Sequence, residues 1–170
     1  ESRSAMPLLD AIQFENVISE PDGIKSRRGY ASFGTGMTGT VSHMSEYLNT
    51  TTRQLVVGAG TVLYSLGTGG GSATSVKTGF TNTDFESAQL SGSMVLVNGA
   101  DTPQIYNGTT STDAVYTGDL NTDGPADVDA INVHKSRMYV WDTDTGNFYY
   151  GATNAIQGGF TKFALNEVSK

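Results

Sequence analysis

"SMVLVNGADTPQIYNG", Ser93–Gly108, consists of two apolar runs separated by a polar turn that contains glycine and aspartate. Two other stretches share this shape. They are "QLVVGAGTVLYSL", Gln54–Leu66, and "SRMYVWDTDTGNFYYG", Ser136–Gly151. Each second run carries a pair of neighbouring large residues, namely Leu63-Tyr64, Ile105-Tyr106 and Tyr149-Tyr150. Short apolar runs that flank a turn of this composition predict three β-hairpins.

The three hairpins recur at a nearly constant spacing. Val57, Val97 and Val140 are separated by 40 and 43 residues, and Tyr64, Tyr106 and Tyr150 are separated by 42 and 44. A candidate strand precedes each hairpin ("VSHMSEYL", "DFESAQLS", "DAINVHK"), and a weaker one follows the first two ("SATSVKTG", "DAVYTGD"). Four short strands in this length are typical of one blade of a β-propeller. We therefore expect an all-β fold, a partial propeller of about three blade-like antiparallel sheets, with another β-sandwich or barrel as the alternative.

The chain divides into an arm and the repeats. Residues 1–40 are rich in turn-forming residues and predict an N-terminal arm and loop. Residues 41–170 hold the repeats, at approximately 41–79, 85–119 and 127–153, followed by a C-terminal extension. Because closed propellers have about four to eight blades, and because the sequence starts at Glu1 rather than Met, we expect a fragment of a longer protein.

Composition excludes several classes of function. The net charge of −7 argues against a broad basic face for specific nucleic-acid binding. The absence of cysteine excludes disulfides and thiolate metal sites. No apolar stretch approaches the roughly 20 residues that span a bilayer, so no membrane span is expected.

One acidic segment is a candidate metal site. "GDLNTDGPADVDA", Gly118–Ala130, places oxygen-bearing side chains at positions 1, 3, 5 and 9 of a loop. These candidate ligands are Asp119, Asn121, Asp123 and Asp127. Calcium prefers such oxygen ligands, but an EF-hand would require Glu where Ala130 stands. The spacing is similar to the calcium loops of integrin-type propeller repeats. An ordinary acidic turn between two repeats is the favoured interpretation, because Asn, Asp and Gly form turns without a metal ion.

Catalytic and cofactor motifs are weak. "GTGMTG", Gly34–Gly39, lacks the strand-and-helix context of a dinucleotide site. His43 and His134 have no metal-binding pattern around them, and no nucleophile-elbow motif is present. We therefore expect no enzymatic activity and no cofactor other than the candidate calcium ion.

Two further groups have alternative interpretations. The first is aromatic and consists of Tyr139, Trp141, Phe148, Tyr149 and Tyr150. It is expected to be core between sheets, with a carbohydrate platform as the alternative. The second is the pair Arg27 and Arg28, which could dock on an acidic partner or form ion pairs within the chain.

The N-terminal stretch contains a run and a turn with a recognisable pattern. The residues that carry it are Asn16, Pro21, Gly23, Ile24, Arg28, Gly29, Tyr30, Thr35, Gly36, Met37 and Gly39. They resemble a family of tail proteins from short-tailed phages and prophages, whose members show a run of the form N-hydrophobic-x-P-x-x-G-hydrophobic-x-x-R-x-G-Y, followed by a T-G-hydrophobic-x-G turn. Residues 96–110 and 154–168 resemble later parts of the family in the same order, whereas the acidic insertion Asp119–Asp129 is not a family feature.

This resemblance implies a virion structural protein of the tail hub or nozzle, with propeller-like β domains arranged in a homo-oligomeric ring. Its partners would be other copies of itself and neighbouring tail and portal proteins. It would lie in the virion tail, and in the host cytoplasm during assembly, and form part of a DNA conduit. The alternatives are a calcium-stabilised propeller that acts in adhesion or binding, and a glycan-binding phage protein.

Overall fold

The computed structural model describes residues 17–20, 23–26 and 31–164, and most of them are in β-strands. The strands, numbered in chain order, are β1 (Val17–Glu20), β2 (Gly23–Ser26), β3 (Gly34–Thr35), β4 (Val41–Leu48), β5 (Arg53–Ala59), β6 (Val62–Gly67), β7 (Gly71–Ser72), β8 (Thr74–Thr78), β9 (Glu86–Leu90), β10 (Ser93–Val97), β11 (Gln104–Tyr106), β12 (Ser111–Asp113), β13 (Tyr116–Gly118), β14 (Ala130–His134), β15 (Arg137–Asp142), β16 (Asn147–Thr153) and β17 (Gly158–Ala164). A helix α1 (Asp119–Asp123) and a 3-10 turn (Pro125–Asp127) lie between β13 and β14. No helix in these described ranges is long and apolar enough to cross a membrane.

The chain divides into two units between Ser32 and Phe33. In the first unit, β1 and β2 form an antiparallel hairpin in which Val17 pairs with Ser26. All the other described elements belong to the second unit. Residues 33–40, which the sequence assigns to the arm, are therefore part of the unit that contains the repeats.

Each repeat forms one antiparallel sheet, and none of the sheets closes on itself. The first sheet has the strand order β4-β5-β6-β8, and the second has the order β9-β10-β11-β12. The third has β14-β15-β16-β17, with β13 added in parallel beside β17. The prediction of an all-β chain with antiparallel sheets is confirmed.

The sheets pack face to face in chain order. Successive side chains of a strand point to opposite faces, so one strand can contribute to two interfaces. In β10, Met94 and Leu96 pack on the first sheet, whereas Val95 and Val97 pack on the third. The core between the first two sheets contains Tyr47, Val56, Leu63, Phe80, Phe85, Met94, Leu96 and Tyr106. The second sheet is thus buried on both faces, which explains the nearly continuous apolar run in β10.

The third repeat is longer than the sequence indicates. Its fourth strand is β17, which lies in the segment assigned to a C-terminal extension after residue 153. Tyr150 pairs with Thr161, and Phe148 pairs with Phe163. The repeat therefore has the same number of consecutive antiparallel strands as the first two, with β13 as an additional edge strand.

The register of the third repeat also differs from the spacing count by one residue. Tyr64, Tyr106 and Tyr149 are the buried tyrosines in the third strand of their sheets, and they pair with Val57, Met94 and Val140. Tyr150, which the sequence count used, lies on the opposite face. A shift of one residue along a strand exchanges its two faces, so a count of tyrosine spacing could not distinguish the two neighbours.

The outer face of the first sheet is partly covered by the glycine-rich stretch Gly34–Gly39. Strand β3 pairs in parallel with β7, and Met37 packs against Val57, Ala59 and Tyr64. The Thr38 amide donates to the Tyr64 hydroxyl at 3.2 Å. A Cβ atom on Gly39 would lie 2.7 Å from the Gly60 Cα, so glycine permits this close approach of two backbones.

Candidate functional site

The acidic segment forms a short helix rather than an open loop. Asp119 is the first residue of α1, and its Oδ2 atom accepts a hydrogen bond from the Lys162 backbone amide at 2.8 Å. Leu120 is fully buried, and Val128 is nearly so, in the core between the second and third sheets. These two apolar residues anchor the segment, and Asp119 fastens it to β17.

Asp123 is held by two partners on the third sheet. Its Oδ2 atom accepts hydrogen bonds from the Tyr149 hydroxyl at 2.9 Å and from Lys162 Nζ at 3.0 Å. The hydrogen bond from Lys162, followed by that from Tyr149, lowers the pKa of the Asp123 carboxyl. Burial raises the pKa of the Tyr149 phenol, and Asp123 raises it further. Asp123 is thus a carboxylate with a structural role in this connector.

The four candidate calcium ligands are not brought together. Asn121 is exposed on α1, and Asp127 is exposed on the 3-10 turn next to Gly124. Across the described parts of the chain, no group of three or more His, Cys, Asp or Glu side chains is placed to hold a metal ion. Calcium binding at this segment remains a prediction, and this geometry does not support it.

Other carboxylates stabilise the loops that join the strands. Asp101 accepts hydrogen bonds from the Thr81 amide and hydroxyl, each at 2.9 Å. Asp129 binds the amide and hydroxyl of Thr143 in the same way. A polar groove of about 300 Å³ lies beside these loops and is lined by Asn82, Asp84, Phe85, Glu86, Asn98 and Asp129. The hydrogen bonds explain why acidic residues recur in these loops without requiring a metal ion.

Both histidines lie on strands. His134 is exposed at the end of β14. The His43 Nε2 atom lies 2.8 Å from Ser45 Oγ, and the His43 ring meets Phe85 edge to face. Burial lowers the pKa of the His43 imidazole.

The outward face of the third sheet, which we call the aromatic face, carries Tyr139, Trp141, Phe148, Tyr150 and Phe163. The rings of Tyr139 and Phe148 are stacked, with centroids 5.5 Å apart. Trp141 is tilted against Phe148 at 6.1 Å. These contacts join neighbouring strands into one continuous apolar surface.

This face is open. Phe163 is 48% exposed, and the other four aromatic residues are half-buried. A groove of about 310 Å³ is lined by Arg137, Tyr139, Phe148, Tyr150 and Phe163. The guanidinium of Arg137 lies 5.5 Å from the centre of the Tyr150 ring, which is within the range of a cation–π contact.

The five aromatic residues predicted to be core between sheets are separated in the structure. Tyr149 alone is buried, between the second and third sheets. The other four belong to the aromatic face. Arg137 and Phe163 were not predicted as members of this face, although the alternation of β15 and the apolar positions of β17 were signals that could have identified them.

The aromatic face occupies strand positions whose counterparts in the first two repeats are buried. Phe148 directly precedes the buried tyrosine of its strand, as Leu63 and Ile105 do in theirs. Leu63 is buried beneath the second sheet, and Ile105 is buried beneath the third. Phe148 therefore stands at the position that the next sheet covers in the first two repeats.

Arg27 and Arg28 lie outside the described residues, so the geometry bears on neither interpretation of them.

The candidate site that the described residues support is the aromatic face. Comparisons with protein-family models, with curated proteins and with solved structures found no match to this chain.

Proposed function

We propose that this chain is a structural module of a short-tailed phage tail, part of the hub or nozzle, and that it acts through subunit assembly without catalysis. One observation carries the proposal. Three similar sheets stack in chain order, and the last sheet presents an aromatic face at positions that are buried in the preceding repeats. Sheets of this kind bury both faces only against neighbours, so such a stack is suited to assembly.

The propeller arrangement is part of the proposal. Its support is the series of consecutive antiparallel four-strand units, each packed on the next, together with the N-terminal resemblance to tail proteins. In this arrangement the three sheets would be three blades of a larger ring. The partners would be other copies of the chain and neighbouring tail and portal proteins, in the virion and, during assembly, in the host cytoplasm.

The charge of the chain suits a passage for DNA. The net charge is −7, and several carboxylates lie in neighbouring loops. Asp84 and Asp129 line the polar groove, and Asp101 binds Asn98 beside it. A wall with this charge repels the phosphate backbone rather than binding it. We accordingly propose no specific binding of nucleic acid.

The decisive experiment is electron microscopy of the intact protein encoded by the complete reading frame, assembled with its portal partner. We expect a ring at the tail end of the portal. A matched preparation that carries Trp141→Asp is expected to give fewer complete rings. A stable monomer that never joins the tail would contradict the proposal.

A second candidate function, glycan binding, is favoured by one observation, the open groove between Arg137 and the aromatic side chains. Aromatic rings and a cation are suitable groups for contacting a sugar. The test is a titration of the chain with oligosaccharides from host surfaces, monitored by Trp141 fluorescence. Saturable binding that Tyr139→Ala removes would favour this function over assembly.

A further inference from the structure

We propose that the aromatic face docks against the outer face of the first sheet in a second copy of this chain, so that two copies form a closed head-to-tail pair. The inference rests on the proposed function, since assembly between copies is the work assigned to the chain. It adds the surface, the partner and the orientation of the contact.

The aromatic face continues the series of interfaces between sheets inside the chain. The second sheet packs on the first through one of its faces, and the third packs on the second in the same direction. Trp141 and Phe148 pair with each other across β15 and β16, as Val95 and Ile105 do across β10 and β11. Val95 and Ile105 are buried by the following sheet. The matching side of the third sheet therefore carries the apolar residues that would pack on another sheet of this type.

A receiving surface lies at the other end of the stack, on the part of the outer face of the first sheet that the stretch Gly34–Gly39 leaves uncovered. Tyr47 and Ser45 of β4 contact the second sheet, so Met44 and Leu48 point to the outer face of the first sheet. Met44 is 65% exposed, and Leu48 is 56% exposed. Phe33, near the same end of the stack, is 53% exposed. Large apolar side chains exposed in this way favour an interaction surface.

The two faces also carry side chains of opposite charge. Arg137 borders the aromatic face and makes no ion pair with any described residue. Glu46 lies between Met44 and Leu48 on the receiving face, where its carboxylate is paired with Arg53. An arginine on one surface and a carboxylate on the other favour one orientation of the contact.

The number of sheets identifies a second copy of the chain as the partner of the aromatic face. A contact between two different faces closes into a ring or continues as a filament. Two copies supply six sheets, and closed rings of such sheets contain about four to eight. A second copy thus covers both ends of the stack at once, with the aromatic face of each chain against the uncovered part of the first sheet, around Met44 and Leu48, of the other.

The test begins with the mass of the 170-residue chain in solution, measured by sedimentation between about 1 and 100 µM, the concentration range typical of a weak to moderate contact. We expect a dimer, which is twice 17.9 kDa. Phe148→Asp and Met44→Asp are each expected to give a monomer, and a mixture of the two variants should regain a dimer through the one remaining intact contact. Val115→Asp is the matched control, because Val115 is 66% exposed and lies in the connection between β12 and β13, which carries none of the residues that define either face.

A second measurement does not depend on the charged variants folding. The chain has no cysteine, so single cysteines can be placed at Phe163 and Met44. A mixture of Phe163→Cys and Met44→Cys proteins should form a mixed disulfide under mild oxidation, at least tenfold faster than a mixture of Phe163→Cys and Val115→Cys proteins.

A wild-type chain that remains monomeric at the highest concentration, or equal cross-linking in the two mixtures, would overturn the inference. The two proposals can fail separately. If the chain forms this dimer but the intact protein never enters a tail, the proposed function fails alone. If tails assemble from a chain that remains monomeric, the head-to-tail contact fails alone.

Discussion

The hydroxyl of Tyr106, on the second sheet, donates a hydrogen bond to the Oε1 atom of Gln54 on the first sheet at 2.5 Å. Tyr106 is fully buried, and its ring meets that of Tyr47 edge to face with centroids 5.1 Å apart. The hydrogen bond is therefore a polar link between two sheets within an apolar interface. Its partners are 52 residues apart in the chain, so it forms only when the sheets stack.

We expect Tyr106→Phe to lower the free energy of unfolding by about 1–2 kcal/mol, because it removes this bond and leaves the Gln54 oxygen without its donor. The measurement is urea denaturation followed by fluorescence. An unchanged stability would show that the Gln54 contact contributes nothing to the stacking of these sheets.

Tyr116 provides the opposite case. Its hydroxyl is buried and has no hydrogen-bond partner among the described residues, and burial raises the pKa of the phenol. Because an unpaired buried hydroxyl loses its hydration without compensation, we expect Tyr116→Phe to leave stability unchanged or to raise it by up to about 1 kcal/mol. A loss similar to that of Tyr106→Phe would indicate a partner for this hydroxyl.

Gly58 lies where the loop between the first and second sheets approaches the first sheet. A Cβ atom at this position would lie 2.5 Å from the Thr83 backbone oxygen. We therefore expect Gly58→Ala to destabilise the protein by about 1–3 kcal/mol through overpacking. Gly67→Ala is the matched control, because a Cβ there meets no atom within 4 Å. Equal melting temperatures for the two variants would contradict the close approach.

His43 predicts a pH dependence of stability. Burial lowers the pKa of its imidazole below the ordinary value, although Asp84 and Glu86 act in the opposite direction. In the pH range between the lowered pKa and the ordinary value near 6.5, the unfolded chain binds more protons than the folded chain. Stability should therefore fall as the pH drops below about 6.5.

The measurement compares unfolding of the wild type and His43→Gln by urea between about pH 7.5 and 5, a range that brackets the ordinary histidine pKa. The variant should lose less stability than the wild type over this range. Parallel curves would exclude His43 as a source of the pH dependence.

Calcium should not stabilise the protein through the acidic segment. Asp123 is occupied by Lys162 and Tyr149, and Asp119 is bound to the Lys162 amide. We expect the melting temperature to be unchanged by millimolar Ca²⁺, because only a ligand that binds the folded state raises it. A rise that disappears in Asp123→Ala would restore the calcium interpretation.

The sequence alone contains enough information to predict the local structure. Apolar alternation and glycine-containing turns indicate three hairpins, and the hairpins around Gly60, Gly99 and Gly146 all appear in the structure. These predictions succeed because strand alternation and turn formation depend on neighbouring residues. Helix α1 was not predicted, because Asp, Asn and Gly favour turns and their spacing resembles that of a metal loop.

Only the tertiary structure decided which face of each strand is buried and against what. Tyr149 is core, whereas Tyr150 and Phe148 belong to an open surface, and Asp123 is a partner of Lys162 rather than one of four gathered ligands. Neighbouring residues of a strand point to opposite faces, so composition and spacing leave the choice between them open. That choice depends on which sheets pack together, and for the aromatic face it depends on a partner that we propose is a second copy.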